Sequence, residues 1–191
     1  MASTAPSRSP IAASSSSPLS DGLRVWSSKV PSKAKTGKYA AVVRPDGQVS
    51  VYGPAVWSTP IFNLSAAGSH GAETTARSKE ENVLFSSQIL DEQDKLATRD
   101  YTLVMRDDCN LALAKAPAIV AWQSGKVGKG VHRFLRLDHR GQLAVEDDHG
   151  FETLWTRKHT SKAGDNALIL QIDGQAVVYG PRIWSASSSI S

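Results

Sequence analysis

Apolar residues along this chain alternate with polar ones in short runs, and Gly, Asp and Pro interrupt the runs every few positions. No stretch shows the helical spacing of an amphipathic face, so the pattern predicts an all-β fold of short strands. The clearest run is QIDGQAVVY at residues 171–179, where Gln171, Asp173, Gln175, Val177 and Tyr179 are spaced by two. A strand sends successive side chains to opposite faces, so these five share one face and Ile172, Gly174, Ala176 and Val178 the other. The second set is small and apolar, suited to a core. Asp173-Gly174 is in addition a turn signal, and a tight bend there divides the run between two strands.

The run belongs to a repeat. Residues 46–58 (DGQVSVYGPAVWS) and 173–185 (DGQAVVYGPRIWS) agree at nine of thirteen positions. Two weaker copies lie between them: RDDCNLALA at 106–114, followed by Trp122, and DHRGQLAVE at 138–146, followed by Trp155. The unit is a polar turn, then alternating apolar residues, then a Trp, and it occurs four times. Self-similarity of this kind marks a repeat architecture whose units bury a shared core that none closes alone. The polar face of the 171–179 copy has the chemistry a sugar requires. Amide, carboxylate and phenol exchange hydrogen bonds with hydroxyls, while the Val177 methyls offer a surface to a ring's C–H face.

Composition narrows the function classes. The chain has 191 residues, enough for one or two ordinary domains, and 40% of them are hydrophobic. No apolar run reaches the length of a membrane-spanning helix. Residues 1–20 are rich in Ser, Ala and Pro and contain no acid; they read as a disordered tail or, alternatively, a plastid transit segment. They lack the apolar centre of a secretion signal. Residues 126–140 (KVGKGVHRFLRLDHR) carry Lys126, Lys129, Arg133, Arg136 and Arg140. The order is not that of a phosphate-binding loop, and a net charge of +4 is modest, so a solvated face is favoured over a nucleic-acid contact. The histidines from His132 to His159 have no metal-ligand spacing, and no nucleophile motif is present. Neither an enzyme nor a metal or cofactor site is expected.

Gln-x-Asp-x-Asn-x-Val-x-Tyr is the mannose-binding motif of the bulb-type lectins, the monocot family typified by snowdrop lectin. Residues 171–179 match it at four of its five defining positions, with Gln175 where the family has Asn. Residues 82–113 (NVLFSSQIL…YTLVMRDDCNLAL) resemble the family's N-terminal subdomain. Residues 81–187 therefore resemble one complete domain, residues 21–60 a partial copy and 61–80 a linker after the 1–20 tail. The resemblance implies a type II β-prism of three four-stranded sheets about a pseudo-threefold axis. Trp122, Trp155 and Trp184 would pack at its centre. It implies reversible binding of mannose-type glycans or glycoproteins through Gln171, Asp173, Gln175, Val177 and Tyr179.

The other copies are weaker candidates. Asp46, Gln48 and Tyr52 survive beside Arg44 and Ser50, and Asp108 and Asn110 survive beside Arg106 and Ala114. The 138–146 copy has Arg140 for the carboxylate and Glu146 for the phenol. Such decay leaves a second reading open, a degenerate lectin fold serving as a protein-interaction module. The resemblance also places Cys109 where family members begin a disulfide, but it is the only cysteine, so no intramolecular bridge can form. That favours a reducing compartment, cytoplasm or nucleus, over secretion. Under that reading the formal glycosylation acceptor Asn63-Leu64-Ser65 stays unused. The partial copy, with Trp26 and Trp57, needs a partner surface. It is expected to dock on the complete prism or to exchange between two chains as a homodimer.

Overall fold

Alternating short runs punctuated by turns give strands, and every helix or strand element found is a strand. The structure is a computed structural model and describes residues 16–18, 24–27, 35–61, 81–117, 119–125, 128, 132–149, 152–157 and 161–186. The N-terminal part holds β1 (Ser16–Pro18), β2 (Arg24–Ser27), β3 (Ala40–Val43), β4 (Val49–Tyr52) and β5 (Ala55–Ser58). Next come β6 (Val83–Phe85), β7 (Ile89–Leu90), β8 (Lys95–Ala97), β9 (Tyr101–Met105), β10 (Leu111–Lys115) and β11 (Ile119–Gln123). The last are β12 (Arg133–Leu137), β13 (Leu143–Asp147), β14 (Thr153–Arg157), β15 (Ala167–Leu170), β16 (Ala176–Tyr179) and β17 (Arg182–Ser185). Trp26, the glycosylation acceptor, Lys126 and Lys129 carry no described side chain; for these the expectations lie outside the described residues.

Three four-stranded antiparallel sheets form the prism, in the orders β11-β10-β9-β8, β14-β13-β12-β7 and β5-β16-β15-β6. Each turns one strand face inward, and the spacing of two selects who arrives there. Leu103 and Met105, Leu111 and Leu113, Leu135 and Leu137, Leu143 and Val145, Leu168 and Leu170 are all at most 1% exposed and share one core with Ala176 and Val178. Each such side chain, fully removed from water, stabilises the fold by about 1.5–3 kcal/mol before entropy is counted. Around Trp122 the indoles pack edge to face, 6.1 Å from Trp57 and 5.8 Å from Trp155. The third indole is therefore Trp57, from the N-terminal copy, and the expectation of Trp184 at this place is corrected.

The reason is an exchange of strands. β5 leaves its own copy and pairs with β16, with Val178 opposite Trp57. β17 leaves the last copy and pairs with β4, with Trp184 opposite Val51, in a three-stranded sheet of order β17-β4-β3. The two segments that repeat each other in sequence thus trade their final strands. At the crossing, Gly53 N donates to Gly180 O (3.2 Å) and Gly180 N to Pro54 O (2.9 Å). Only Gly53-Pro54 separates β4 from β5, and only Gly180-Pro181 separates β16 from β17. Proline at the second central position excludes the type I′ hairpin, which needs positive φ at both central residues, and here the Gly-Pro link runs on rather than folding back. The inner copies have longer links, and there β11 and β14 fold back onto β10 and β13.

The exchange creates a second core. Val42 and Tyr52 of the three-stranded sheet meet Phe85, Ala167, Ile169, Val177 and Tyr179 on the outer face of the β5-β16-β15-β6 sheet. Both faces of β15 and β16 are covered, which is why ALIL and AVVY read as unbroken apolar runs. Replacing Trp57 by Ala should cost about 3 kcal/mol, as for other large aromatics removed from a core. Urea unfolding of the full chain measures it; a loss under about 0.5 kcal/mol, the level of a surface change, would show that β5 is not seated.

Candidate functional site

All four copies build the same turn. In the last, Gln171 N donates to Gln175 O (2.8 Å) and Gly174 N to Gln171 O (3.0 Å). The corresponding pairs are Arg44–Gln48 and Gly47–Arg44, Arg106–Asn110 and Cys109–Arg106, Asp138–Gln142 and Gly141–Asp138. The fourth residue has φ between 69° and 82° in every copy, so each is a three-residue loop ending in a left-handed residue. Glycine fits this at three copies; at the other Cys109 adopts it and is buried. Gly174 has a second constraint, since a Cβ there would lie 2.4 Å from the Tyr101 ring. The sequence signal at Asp173-Gly174 thus marks a true bend: residues 171–175 are turn, and the strand begins at Ala176.

The carboxylate of the motif serves this turn first. Asp173 Oδ1 accepts from Gln175 N (3.0 Å), Asp46 Oδ1 from Gln48 N (2.9 Å) and Asp108 Oδ1 from Asn110 N (3.1 Å). In the copy with Arg140 at that position, Asp138 Oδ1 takes over, accepting from Arg140 N (2.8 Å) and Gln142 N (2.7 Å). Asp at the third motif position therefore has a structural use everywhere, and its second oxygen decides whether a ligand can be bound.

Three copies spend their polar groups on arginine. Arg44 Nη1 donates to Tyr52 OH (3.0 Å), its Nε lies 3.9 Å from Asp46 Oδ2, and its guanidinium stacks 4.7 Å from the Phe85 ring centre. Tyr52 is fully buried, and Ser50, in the place of Val177, is buried with its hydroxyl unpaired among the described residues. Arg106 Nη2 lies 3.3 Å from Asp108 Oδ2. Arg136 reaches Glu146 through Nε (2.9 Å) and Nη2 (2.5 Å), and this bond pushes the guanidinium pKa further up. Arg133 pairs with Glu92 and donates to Asp107 O. Two arginines of the basic run are thus paired with carboxylates. Among the described residues no group of His, Cys, Asp and Glu is placed to hold a metal.

The last copy differs. Gln171 Nε2 donates to Tyr179 OH (2.5 Å), the bond that Arg44 makes in the first copy, but without bringing a charge. Asp173 is exposed, and among the described residues no arginine pairs with it. Val177 and Tyr179 lie alongside at 4% and 2% exposure, their bodies in the second core. Gln175 turns toward the exchanged strand: its Nε2 donates to Thr59 O (3.2 Å), and Thr59 Oγ1 accepts from Ala176 N (3.1 Å). The fifth motif residue has an equivalent duty in two other copies. Gln142 Nε2 donates to Thr156 Oγ1 (3.1 Å), and Asn110 Nδ2 to Gln123 Oε1 (3.0 Å). Asn110 Oδ1 accepts from Ser124 Oγ and Gly125 N, so its amide is saturated within the protein at 2% exposure. Sequence reasoning missed Thr59; the Gly-Pro links of the outer copies were the signal that their last strands lie elsewhere.

A prism of Trp-bearing hairpin repeats, with an amide, a phenol and an exposed carboxylate side by side in its last copy, is the fold of a class of lectins. Mannose-specific lectin 1 of Crocus vernus is 48% identical over 165 residues, 86% of this chain and 60% of the relative. The tarin lectin, solved bound to trimannose, is 45% identical with a TM-score of 0.52, covering 59% of this chain and all of that one. The fetuin-binding agglutinin of Scilla campanulata, a two-domain lectin, is 26% identical with a TM-score of 0.71, covering 89% of this chain and 70% of that one. The chain belongs to the bulb-type family of monocot mannose-specific lectins. It spans about 60% of the length of the curated relatives it matches. No protein-family model matches it.

Burial raises the Tyr179 pKa, the Gln171 hydrogen bond opposes this and the Asp173 charge adds to it. A raised folded value means that folding favours the neutral phenol. The contribution is complete below the ordinary tyrosine value near 10 and is lost as pH rises through the higher folded value. Phenolate absorbance should show one tyrosine ionising late, and Tyr179→Phe should remove that step; an unchanged titration would show Tyr179 to be freely hydrated.

Proposed function

We propose that the chain is a mannose-binding lectin that works through the cleft of its last repeat, by reversible binding without a chemical step. The observation that carries the reading is the Asp173 carboxylate. It is held by its turn, flanked by the Gln171–Tyr179 pair and free of the arginine that occupies each decayed copy. A pyranose hydroxyl meets Asp173 Oδ2 beside the Gln171 amide, while Val177 and Tyr179, almost wholly buried in the second core, support the site from behind. The names of the relatives support mannose as the sugar, and tarin was solved with trimannose. Asp46, Gln48, Tyr52, Asp108 and Asn110 are then scaffold. A cytoplasmic or nuclear setting goes with this reading, because Cys109 is the only cysteine.

Calorimetric titration with methyl α-mannoside tests the site. Asp173→Asn should weaken binding by about 1–3 kcal/mol, the range for a charge-assisted hydrogen bond, and Asp108→Asn should leave it unchanged. Equal losses at both positions, or a parent that binds no mannose, would contradict the reading.

A homodimer is part of the same proposal, formed by trading β5 between chains with the same hydrogen bonds. Within one chain β5 is already linked to its acceptor, at an effective concentration in the mM range. Light scattering should therefore find single chains at micromolar concentration and dimers only as concentration approaches that range. A dimer persisting at micromolar concentration would show that the exchange is intermolecular from the start.

A further inference from the structure

We propose that Tyr101 is a positioning residue of the mannose cleft: its ring reaches across from another sheet, braces the 171–175 turn from the inside and so fixes the Asp173 carboxylate without occupying it. The inference rests on the mannose reading above. Ile172 and Asp173 at the tip of this turn are exposed, and Gly174 is its one buried residue. What covers Gly174 is Tyr101, at the start of β9: a Cβ on Gly174 would overlap Cε1, Cζ and Cδ1 of the ring. Glycine therefore serves the approach of the ring as well as the left-handed backbone.

The other copies are steadied differently. Gly47 is exposed, and a Cβ there would meet nothing within 4 Å. The carboxylate of that turn faces Arg44 instead (3.9 Å), and in the second copy Asp108 faces Arg106 (3.3 Å). Gly141 lies against Ser161 Oγ rather than a ring. Arginine steadies a turn by drawing on the very oxygen that a sugar would use. A ring steadies it by packing, through many weak dispersion contacts, and leaves that oxygen open. Tyr101 is itself fixed: its N donates to Thr98 Oγ1 (3.3 Å), and its O accepts from Thr98 N (2.8 Å). Lys115 Nζ lies 5.7 Å from the ring centre, and the ring packs against the main core. A turn held beforehand in its binding geometry loses less freedom when a ligand arrives, and the gain is read as affinity.

The test joins calorimetry with methyl α-mannoside to amide exchange followed by NMR, on the full chain, in the parent, Tyr101→Phe and Tyr101→Leu. The Phe variant keeps the ring and should keep affinity within about twofold. The Leu variant fills part of the space without a ring and should bind about tenfold more weakly. It should also exchange the Gln175 amide, the one held by Asp173, about tenfold faster, while the Gln48 amide of the first copy is unchanged. Equal acceleration at Gln175 and Gln48 is general loosening and overturns the inference, as does a Leu variant with unchanged affinity or unchanged Gln175 exchange. A Phe variant that loses as much as Leu assigns the effect to the hydroxyl and overturns the brace. In the parent, ring current should separate the two Gly174 α-hydrogen resonances; coincident resonances overturn the contact whether or not the Leu variant folds. A parent that binds no methyl α-mannoside overturns the mannose reading and the role of Tyr101 in it, and Gln175 exchange then decides by itself whether Tyr101 holds the turn.

Discussion

Everything in this fold depends on the two strands that change places. β5 completes the third wall of the prism, and its Trp57 meets Trp122, which in turn meets Trp155. β17 in return gives β4 a neighbour that it would otherwise lack. Two Gly-Pro links, at equivalent places in copies that resemble each other, carry the chain across. Because the segments are alike, each fits the other's vacancy, and the backbone bonds at Gly53 and Gly180 pin the crossing. Outer-face residues of β15 and β16 are buried only as a result, including the valine and tyrosine of the motif.

The four copies show how one hairpin design is kept while its surface chemistry changes. The turn, the left-handed fourth residue and the carboxylate cap persist, since each satisfies backbone groups that would otherwise be unpaired. What changes is the residue beside the cleft. An arginine at Arg44, Arg106 or Arg136 engages the very oxygens that a sugar would need. Gln171 makes the same contact with its tyrosine and stays neutral. A buried or half-buried ion pair is satisfied internally, and a neutral pair leaves hydrogen-bonding capacity for a guest.

Much of this was legible in the sequence. Period-two runs and turn signals carry the all-β repeat, and the resemblance of residues 171–179 to the family motif carries the prism. The error over Trp184 has a physical origin: the pattern of a strand records which faces are buried, not which sheet it joins, and β5 and β17 have nearly interchangeable patterns. The role of Gln175 was likewise hidden. The motif implies a sugar contact for it in place of the family's Asn, but in the fold it reaches Thr59, a residue far away in the chain. The arginine pairings were half visible, since Arg44 and Arg106 replace amides in the motif, whereas Arg136 pairs across strands and leaves no mark in the motif.

Thr59 sits where two equilibria meet. It ends the exchanged strand, bonding to Ala176 through both backbone and hydroxyl, and its carbonyl holds the amide of Gln175 at the edge of the cleft. Occupancy of the cleft and seating of β5 are therefore thermodynamically linked: whatever binds only the seated form draws the strand home. A ligand at a hundred times its dissociation constant adds about 2.7 kcal/mol to the form it selects, comparable to the burial of one large side chain. By reciprocity, loosening the N-terminal copy weakens the hold on any such ligand by the same factor. The contact at Thr59 is in this sense a clasp on the fold.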